Sequence, residues 1–560
     1  MADRRTIILS VCIAIACTLF RASSSAHYIL CSKSRDIYTV DENNPRVNCM
    51  AVRDGLIERT GDILVKLLPH AIADYVLGRN LFEQMLPAWF ANSLRRMRVV
   101  YLPSGATVVP GLSGVVQLLK NYVLSHPDIM NDTTRWIEGM GWDHTKWPDA
   151  RYPTADDLDQ EPLLKNRLIA LSRIDGHSRW VSFAVMKLIP HLPEKVDGGL
   201  IVRDESGEPT GIFVDNAMDL LPIPQWTENQ MSKFFNMTIT EALSVGLTSI
   251  HDADTSPARI EFYRNMAEQG NMPIRLYLMA YIESTEYWGH KITPLINYGK
   301  QRRLNLRSVK LFADGTLGSW SAALLQPYSD EPETFGLMRY DEKTLKQLIQ
   351  RFWANGWQTA VHCVGDRANK VLLDIFEEII AQGGNVSTWR PRIEHALILT
   401  RHDLERIGSV QPTAATTDMW YAEARLGAER LQSSYAYQIL RSTAPQNILP
   451  FGSDMPVEGV NPLLGFYAAI SRLSVEGTSP HGAGGWFPNE RLTREQALKG
   501  MTLDAAYASF SEDMVGSLTP GKRADFVIFD KNIMTISQEE ILSAKVLATV
   551  IDGEVVYGSF

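Results

Sequence analysis

The chain has 560 residues, enough for one large domain with a small companion. A composition of 45% apolar and 21% charged residues excludes a disordered or fibrous class. The net charge of −9 argues against nucleic acid or an anionic membrane surface as the main partner.

In chain order, Arg4 and Arg5 precede an apolar run from Thr6 to Phe20, and the small, polar stretch Arg21-Ala-Ser-Ser-Ser-Ala26 follows. A basic start, a short apolar core and small residues describe a secretory signal peptide over 1–26. The expected localisation is therefore the secretory pathway, with secretion as the end point. The run is short for a membrane span, and anchoring by an uncleaved signal is the alternative. In that setting the sequons at Asn131, Asn236 and Asn385 are usable glycosylation acceptors. Five cysteines are too few for a disulfide scaffold. Cys12 and Cys17 fall in the leader, Cys31 and Cys49 are placed to pair, and Cys363 reads as a buried apolar residue.

Short alternating runs come next: Ile37-Tyr-Thr-Val40, Met50-Ala-Val-Arg-Asp-Gly55, Val99-Val-Tyr-Leu102 and Ala106-Thr-Val-Val109. They predict a small β unit over 27–109, interrupted by a more helical stretch at 62–98. From 110 to 512 apolar strand-like runs alternate with helical ones. The runs are Leu168-Ile-Ala-Leu171, Thr248-Ser-Ile250, Ile274-Arg-Leu-Tyr-Leu278, Ser308-Val-Lys-Leu-Phe312, Gln358-Thr-Ala-Val361 and Ile448-Leu-Pro-Phe451. Helical stretches are expected at 342–355, 368–382 and 401–407. This alternation implies parallel βα units and a TIM-type barrel, whose chemistry gathers at the strand C-termini. Thr493 is a helix N-cap. The segment 513–560 returns to β, with Asp552-Gly553 as a hairpin signal.

The chemistry-bearing candidates sit at strand ends. His362 and His395 each follow an apolar run, where an imidazole can bind Zn²⁺. A lone histidine is more often a satisfied structural residue, with Asp366 and Glu394 here as nearby acceptors. Lys310 lies inside an apolar strand, where an ammonium is costly unless it is paired, for example with Asp314, or modified. Carboxylation by CO₂ would turn it into an anionic oxygen ligand. Asp454, in Gly452-Ser-Asp-Met-Pro456, is either a turn aspartate or a carboxylate that binds metal and moves a proton.

Taken in order with their flanking phrases, these residues resemble the amidohydrolase superfamily, and more narrowly the amidohydrolase 3, YtcJ-like branch. Further phrases match it: Gly141-Trp-Asp-His-Thr-Lys-Trp147, Asp175-Gly-His-Ser178, Gly246-Leu-Thr-Ser-Ile-His-Asp-Ala253 and Leu518-Thr-Pro-Gly-Lys-Arg-Ala-Asp-Phe-Val527. The resemblance implies a (β/α)₈ barrel over 110–512 beside a β-sandwich made from 27–109 and 513–560. It also implies metal-dependent hydrolysis of an amide or cyclic amide C–N bond in a small molecule. Lys310 would be the carboxylated ligand, and His362 and His395 would hold one divalent ion, zinc by preference. Asp454 would bind metal or shuttle a proton, and His177 would face the substrate.

The family writes Pro-Gly-Leu-x-Asp-x-His-x-His at its first barrel strand. This chain writes Pro110-Gly-Leu-Ser-Gly-Val-Val-Gln-Leu118, with no histidine between His70 and His126. The run from Gly114 to His126 already reads as the family's next helix, so a segment after Ser113 looks deleted with the histidines. One ion is then expected rather than two. The expectation divides between a weakly active single-metal hydrolase and a catalytically impaired member.

Overall fold

The computed structural model describes residues 27–32, 35–61, 99–101, 111–383, 385–406, 410–411 and 418–560. The leader at 1–26 and the expected helical insertion at 62–98 lie outside these residues. Among the described residues no helix is long and apolar enough to cross a membrane.

Strands β1 (His27–Cys31), β4 (Cys49–Arg53) and β5 (Leu56–Gly61) form a three-stranded antiparallel sheet, and the short β2 (Ile37–Tyr38) and β3 (Arg46–Val47) pair beside it. The register of β1 on β4 sets Cys31 opposite Cys49, and the two form a disulfide. At the other terminus β19 (Phe526–Phe529), β20 (Val546–Ile551) and β21 (Glu554–Gly558) form a second three-stranded sheet. Met50, Val52 and Ile57 share one apolar cluster with Ala524, Phe526 and Val550, so residues almost 500 positions apart close a common core. The Asp552-Gly553 pair turns β20 into β21 with both residues at positive φ, as the sequence predicts.

Between the termini lie two larger sheets. The first is six-stranded and mixed, in the order β10 (Gly199–Arg203), β11 (Pro209–Asp215), β9 (Ser178–Val181), β8 (Ile169–Arg173), β7 (Ile137–Trp142), β6 (Val99–Tyr101). Two expectations change here. Val99–Tyr101 pairs in parallel with β7, not with the terminal sheets, and the run around Leu168–Leu171 belongs to this mixed sheet. A buried apolar run carries no label for the sheet it joins.

The second sheet holds six parallel strands in the order β12 (Ser249–Thr255), β13 (Arg275–Ala280), β15 (Leu304–Phe312), β16 (Gln358–Cys363), β17 (Arg392–His395), β18 (Val410–Gln411), with β14 (Leu295–Tyr298) antiparallel to β15. Among the described residues β12 pairs only with β13. The expected strand at 448–451 takes no strand conformation. Helices Glu342–Ala354 and Asp366–Ala381 pack against this sheet through Leu348, Phe352, Leu372 and Phe376, each close to or fully buried. The first is capped by Asp341, whose carboxylate accepts from Thr344 N. Thr493 caps its helix as predicted and forms a capping box with Gln496.

The region of the missing histidines is helical. Gly111–Ser125 is one helix that buries Val115, Leu119 and Val123. Gly111 and Leu112 of the Pro-Gly-Leu phrase therefore already belong to a helix.

Candidate active site

The parallel register decides which side chains share a face. Lys310 lies opposite Ala360, Phe312 opposite His362, and Ala360 and His362 opposite Arg392 and Glu394. With a side-chain period of two, Lys310, Phe312, His362, Arg392 and Glu394 project from one face, while Val309, Leu311, Val361, Cys363 and Ile393 enter the core on the other. By the same alternation His395 would point away from His362. Its φ of +75° turns the strand end instead, and its ring centroid lies 4.4 Å from that of His362. Left-handed backbone is costly for a side-chain-bearing residue, and it recurs at Asp454 (φ +53°) and Asp215 (φ +51°).

Lys310 is 5% exposed. Burial pushes its pKa down, opposed by Glu394, Asp454 and Asp254. Glu394 is itself held by a bidentate pair with Arg392 at 2.7 and 3.0 Å. Asp314 is not the lysine's partner. It accepts from the amides of Val364 (2.9 Å), Gly365 (2.8 Å) and Ala323 (2.9 Å), which fasten the loop after β15 to the loop after β16. Nor does Asp366 support His362, since it accepts from Leu325 N at 2.8 Å and from Arg367 N.

His362 is 2% exposed, with its Nε2 3.1 Å from the Gly315 carbonyl. A carbonyl only accepts, so Nε2 carries the hydrogen and the lone pair is on Nδ1. Burial holds both His362 and His395 well below the ordinary imidazole pKa; neighbouring His395, His177 and Lys310 add to the effect on His362, and Lys310 and His177 to that on His395. Both are neutral at pH 7. Asp454 borders solvent at the rim, yet the protein around its carboxyl raises it to about 6, with Lys310 and His177 pulling the other way. The four residues singled out in the sequence therefore converge electrostatically at the C-terminal end of the parallel strands.

His177 reaches this centre from the other sheet. It sits in the β8–β9 turn, with its ring centroid 4.6 Å from that of His362. Its Nδ1 is 2.6 Å from Asp215 Oδ1, and its amide donates to Asp175 Oδ1 at 3.1 Å. Asp215 had no sequence signal beyond its place at the end of an apolar strand.

Among the described residues no three carboxylate, thiolate or imidazole groups stand as a ready cage for a metal ion. The donor set is two neutral imidazoles and a lysine whose ammonium is destabilised. It would fit a divalent ion only if Lys310 supplied an anionic oxygen.

The family description "Amidohydrolase family" matches residues 99–557. The chain belongs to the amidohydrolase family. The chain is similar to Protein LONG AFTER FAR-RED 3 of Arabidopsis thaliana, with 31% identity over 93% of this chain and 90% of the relative. It is also similar to the putative amidohydrolase YtcJ of Bacillus subtilis, with 28% identity over 93% of this chain and 98% of that one. A third relative is N-substituted formamide deformylase of Arthrobacter pascens, with 24% identity over 93% of this chain and 97% of that one. Among solved structures, an uncharacterized metal-dependent hydrolase of Pyrococcus horikoshii superposes with a TM-score of 0.64 and 21% identity, covering 90% of this chain and 97% of its own. That likeness concerns the fold.

Proposed function

We propose that this amidohydrolase hydrolyses a non-peptide C–N bond in a small amide or cyclic amide, using one divalent metal ion. The observation that carries the reading is the convergence of Lys310, His362, His395 and Asp454 at one end of the parallel strands. The deformylase relative, whose name places a formamide C–N bond at its centre, supports the bond type.

His362, His395 and Lys310 would hold the ion, and zinc suits a site with two imidazoles. A bound divalent ion lowers the pKa of water and polarises a carbonyl. The residues prepare for this in three ways. Both imidazoles are neutral and offer lone pairs. Burial favours the neutral amine of Lys310, the form that adds to CO₂ to give a carbamate and release one proton. Asp454, raised to about 6, takes a proton at its carboxylate from the attacking water and gives it up to the departing nitrogen. His177 faces the substrate.

The strands are read as a (β/α)₈ barrel without its first strand, and the terminal sheets as a β-sandwich. The helix Gly111–Ser125, standing where the family places its His-x-His strand, favours a second reading, a catalytically impaired member. Metal analysis of the purified chain, before and after Zn²⁺ or Mn²⁺ with bicarbonate, separates the two. Assays on N-substituted formamides and cyclic amides complete the test. One equivalent of metal with hydrolysis supports the first reading. Neither metal uptake nor turnover sinks it.

Secretion is also proposed. The Cys31–Cys49 disulfide suits an oxidising compartment, and Asn131, Asn236 and Asn385 are all exposed. A mature N-terminus near residue 27 and a mass loss on endoglycosidase treatment are expected. A chain starting at Met1 and held in the membrane fraction would show an anchor instead.

A further inference from the structure

We propose that Asp215 is a positioning residue that fixes His177 as the Nδ1–H tautomer, so that the Nε2 lone pair is the nitrogen left to act in the reaction centre. The sequence places the two residues 38 apart, and the fold brings them together through one register: Val214 on β11 pairs with Ser178 on β9. The residues one step beyond that pair, Asp215 and His177, are then held twice. The Asp215 amide donates to the His177 carbonyl at 3.0 Å, and the side chains meet at 2.6 Å.

Three features make this more than a chance contact. Asp215 is fully buried, so its carboxylate gives up hydration to be there. It stands at φ +51°, ψ −128°, a backbone region that favours glycine, although it carries a side chain. The loop after β15 has also made room for it. A Cβ on Gly315 would lie 2.4 Å from Asp215 Oδ2 and 2.0 Å from Ser321 Oγ, so only glycine admits the carboxylate here. The same Gly315 turns its carbonyl to His362 Nε2. One tight segment thus accommodates the partner of His177 and supplies the partner of His362. The second anchor of the turn, Asp175, accepts the His177 amide with one oxygen and the Thr316 hydroxyl with the other at 2.6 Å. His177 is therefore fixed in ring orientation, in tautomer and in backbone position, all against the segment that also orients His362. An acceptor that fixes the ring tautomer of a functional histidine is a recurring way of setting its basicity and aim.

The catalytic meaning of this arrangement rests on the hydrolase reading; the tautomer itself does not. The test is accordingly spectroscopic first. Full-length protein labelled with ¹⁵N-histidine is examined by long-range imidazole ¹H–¹⁵N correlation, with His177 assigned by its loss in His177→Gln. The wild type is expected to show a protonated Nδ1 and an unprotonated Nε2 at His177, and the reverse at His362. Asp215→Ala is expected to lose the Nδ1–H signature at His177 while His362 keeps its own. Asp215→Asn, which retains an oxygen acceptor, is expected to preserve it. An Nε2–H tautomer at His177 in the wild type overturns the proposal, whether or not the variants fold. So does an unchanged tautomer in a folded Asp215→Ala protein. Given a substrate, Asp215→Ala is expected to lower kcat roughly a hundredfold with little change in KM, and Asp215→Asn to recover most of it. Loss of activity without a change in tautomer would reject Asp215 as the positioning group and leave the hydrolase reading standing.

Discussion

The two ends of the same parallel strands treat charge in opposite ways. At the N-terminal end Arg275, which begins β13, pairs with Asp525 at 2.6 and 2.9 Å and with Asp552 at 2.5 Å. Arg303, just before β15, reaches Asp552 at 2.9 Å, and Arg523 reaches it at 3.2 Å. Burial works against the ionised form of Asp552, but Arg275 and Arg303 outweigh it and hold the carboxyl below its usual range. At the C-terminal end the groups are driven toward neutrality: Lys310, His362 and His395 down, and Asp454, at the solvent rim, up to about 6. One end uses charge to fasten the sheet to the terminal strands. The other holds two neutral imidazoles beside a destabilised ammonium and a carboxyl raised to about 6, at the price of stability, as reactive sites do.

The largest test of this contrast is Asp552→Ala. It takes the carboxylate partner from Arg303 and Arg523 and leaves Arg275 with Asp525 alone, and a loss of about 3 kcal/mol is expected in denaturant unfolding. A loss below 1 kcal/mol would mean the pairs hold little.

Acid comes second. In the metal-free protein His362 and His395 have folded pKa values below the unfolded value of about 6.5. Their contribution is fully present above that pH and is lost as pH falls below it. The slope is up to about 1.4 kcal/mol per pH unit for each histidine. Thermal unfolding from pH 7 to 5 should show this fall, and His362→Asn should make it shallower.

Lys310→Met should move stability the other way. Removing a disfavoured ammonium from an apolar strand is expected to leave stability unchanged or raise it by about 1 kcal/mol, while metal uptake is lost. A sharp fall in melting temperature would make Lys310 a structural residue.

The smallest effect concerns Glu283, just beyond β13 at the same end. Burial, a hydrogen bond to Asp219 and that residue's charge raise it to about 7. Its contribution to stability is present below its unfolded value and declines as pH rises through about 7. Asp219→Asn should return the Glu283 titration, followed by carboxyl NMR, toward the ordinary range.

Much of this was legible in the sequence. His362 and His395 end apolar runs that are strands, Lys310 lies within a third, and strand ends in a parallel βα array converge; the run before Asp454 takes no strand conformation. The Cys31–Cys49 pairing and the Thr493 cap were readable from local chemistry. The rest depended on long-range register. Asp215 looks like any aspartate at the end of a strand until β11 is laid beside β9. The turn of His395 toward His362 depends on a single φ that no side-chain pattern reports. Val99–Tyr101 was misplaced because an apolar strand is compatible with any sheet that buries it, whereas the run near Leu171 does pair in parallel with β7 but lies antiparallel to β9. Asp314 and Asp366, the expected ionic or imidazole partners, serve backbone amides instead, a use that depends on loops meeting in space.

The arginine cluster also sets a schedule. A chain made from its N-terminus at about 5–20 residues per second has Arg275 and Arg303 in hand well before Asp525 and Asp552 are synthesised. Until those last residues arrive, the base of the sheet carries positive charge without its counter-ions. Asp525 and Asp552 thus complete the charge balance at the base of the sheet. A chain truncated before Asp552 is expected to keep most of its core yet leave Arg303 and Arg523 without their carboxylate, and to be cut faster in limited proteolysis than the full chain.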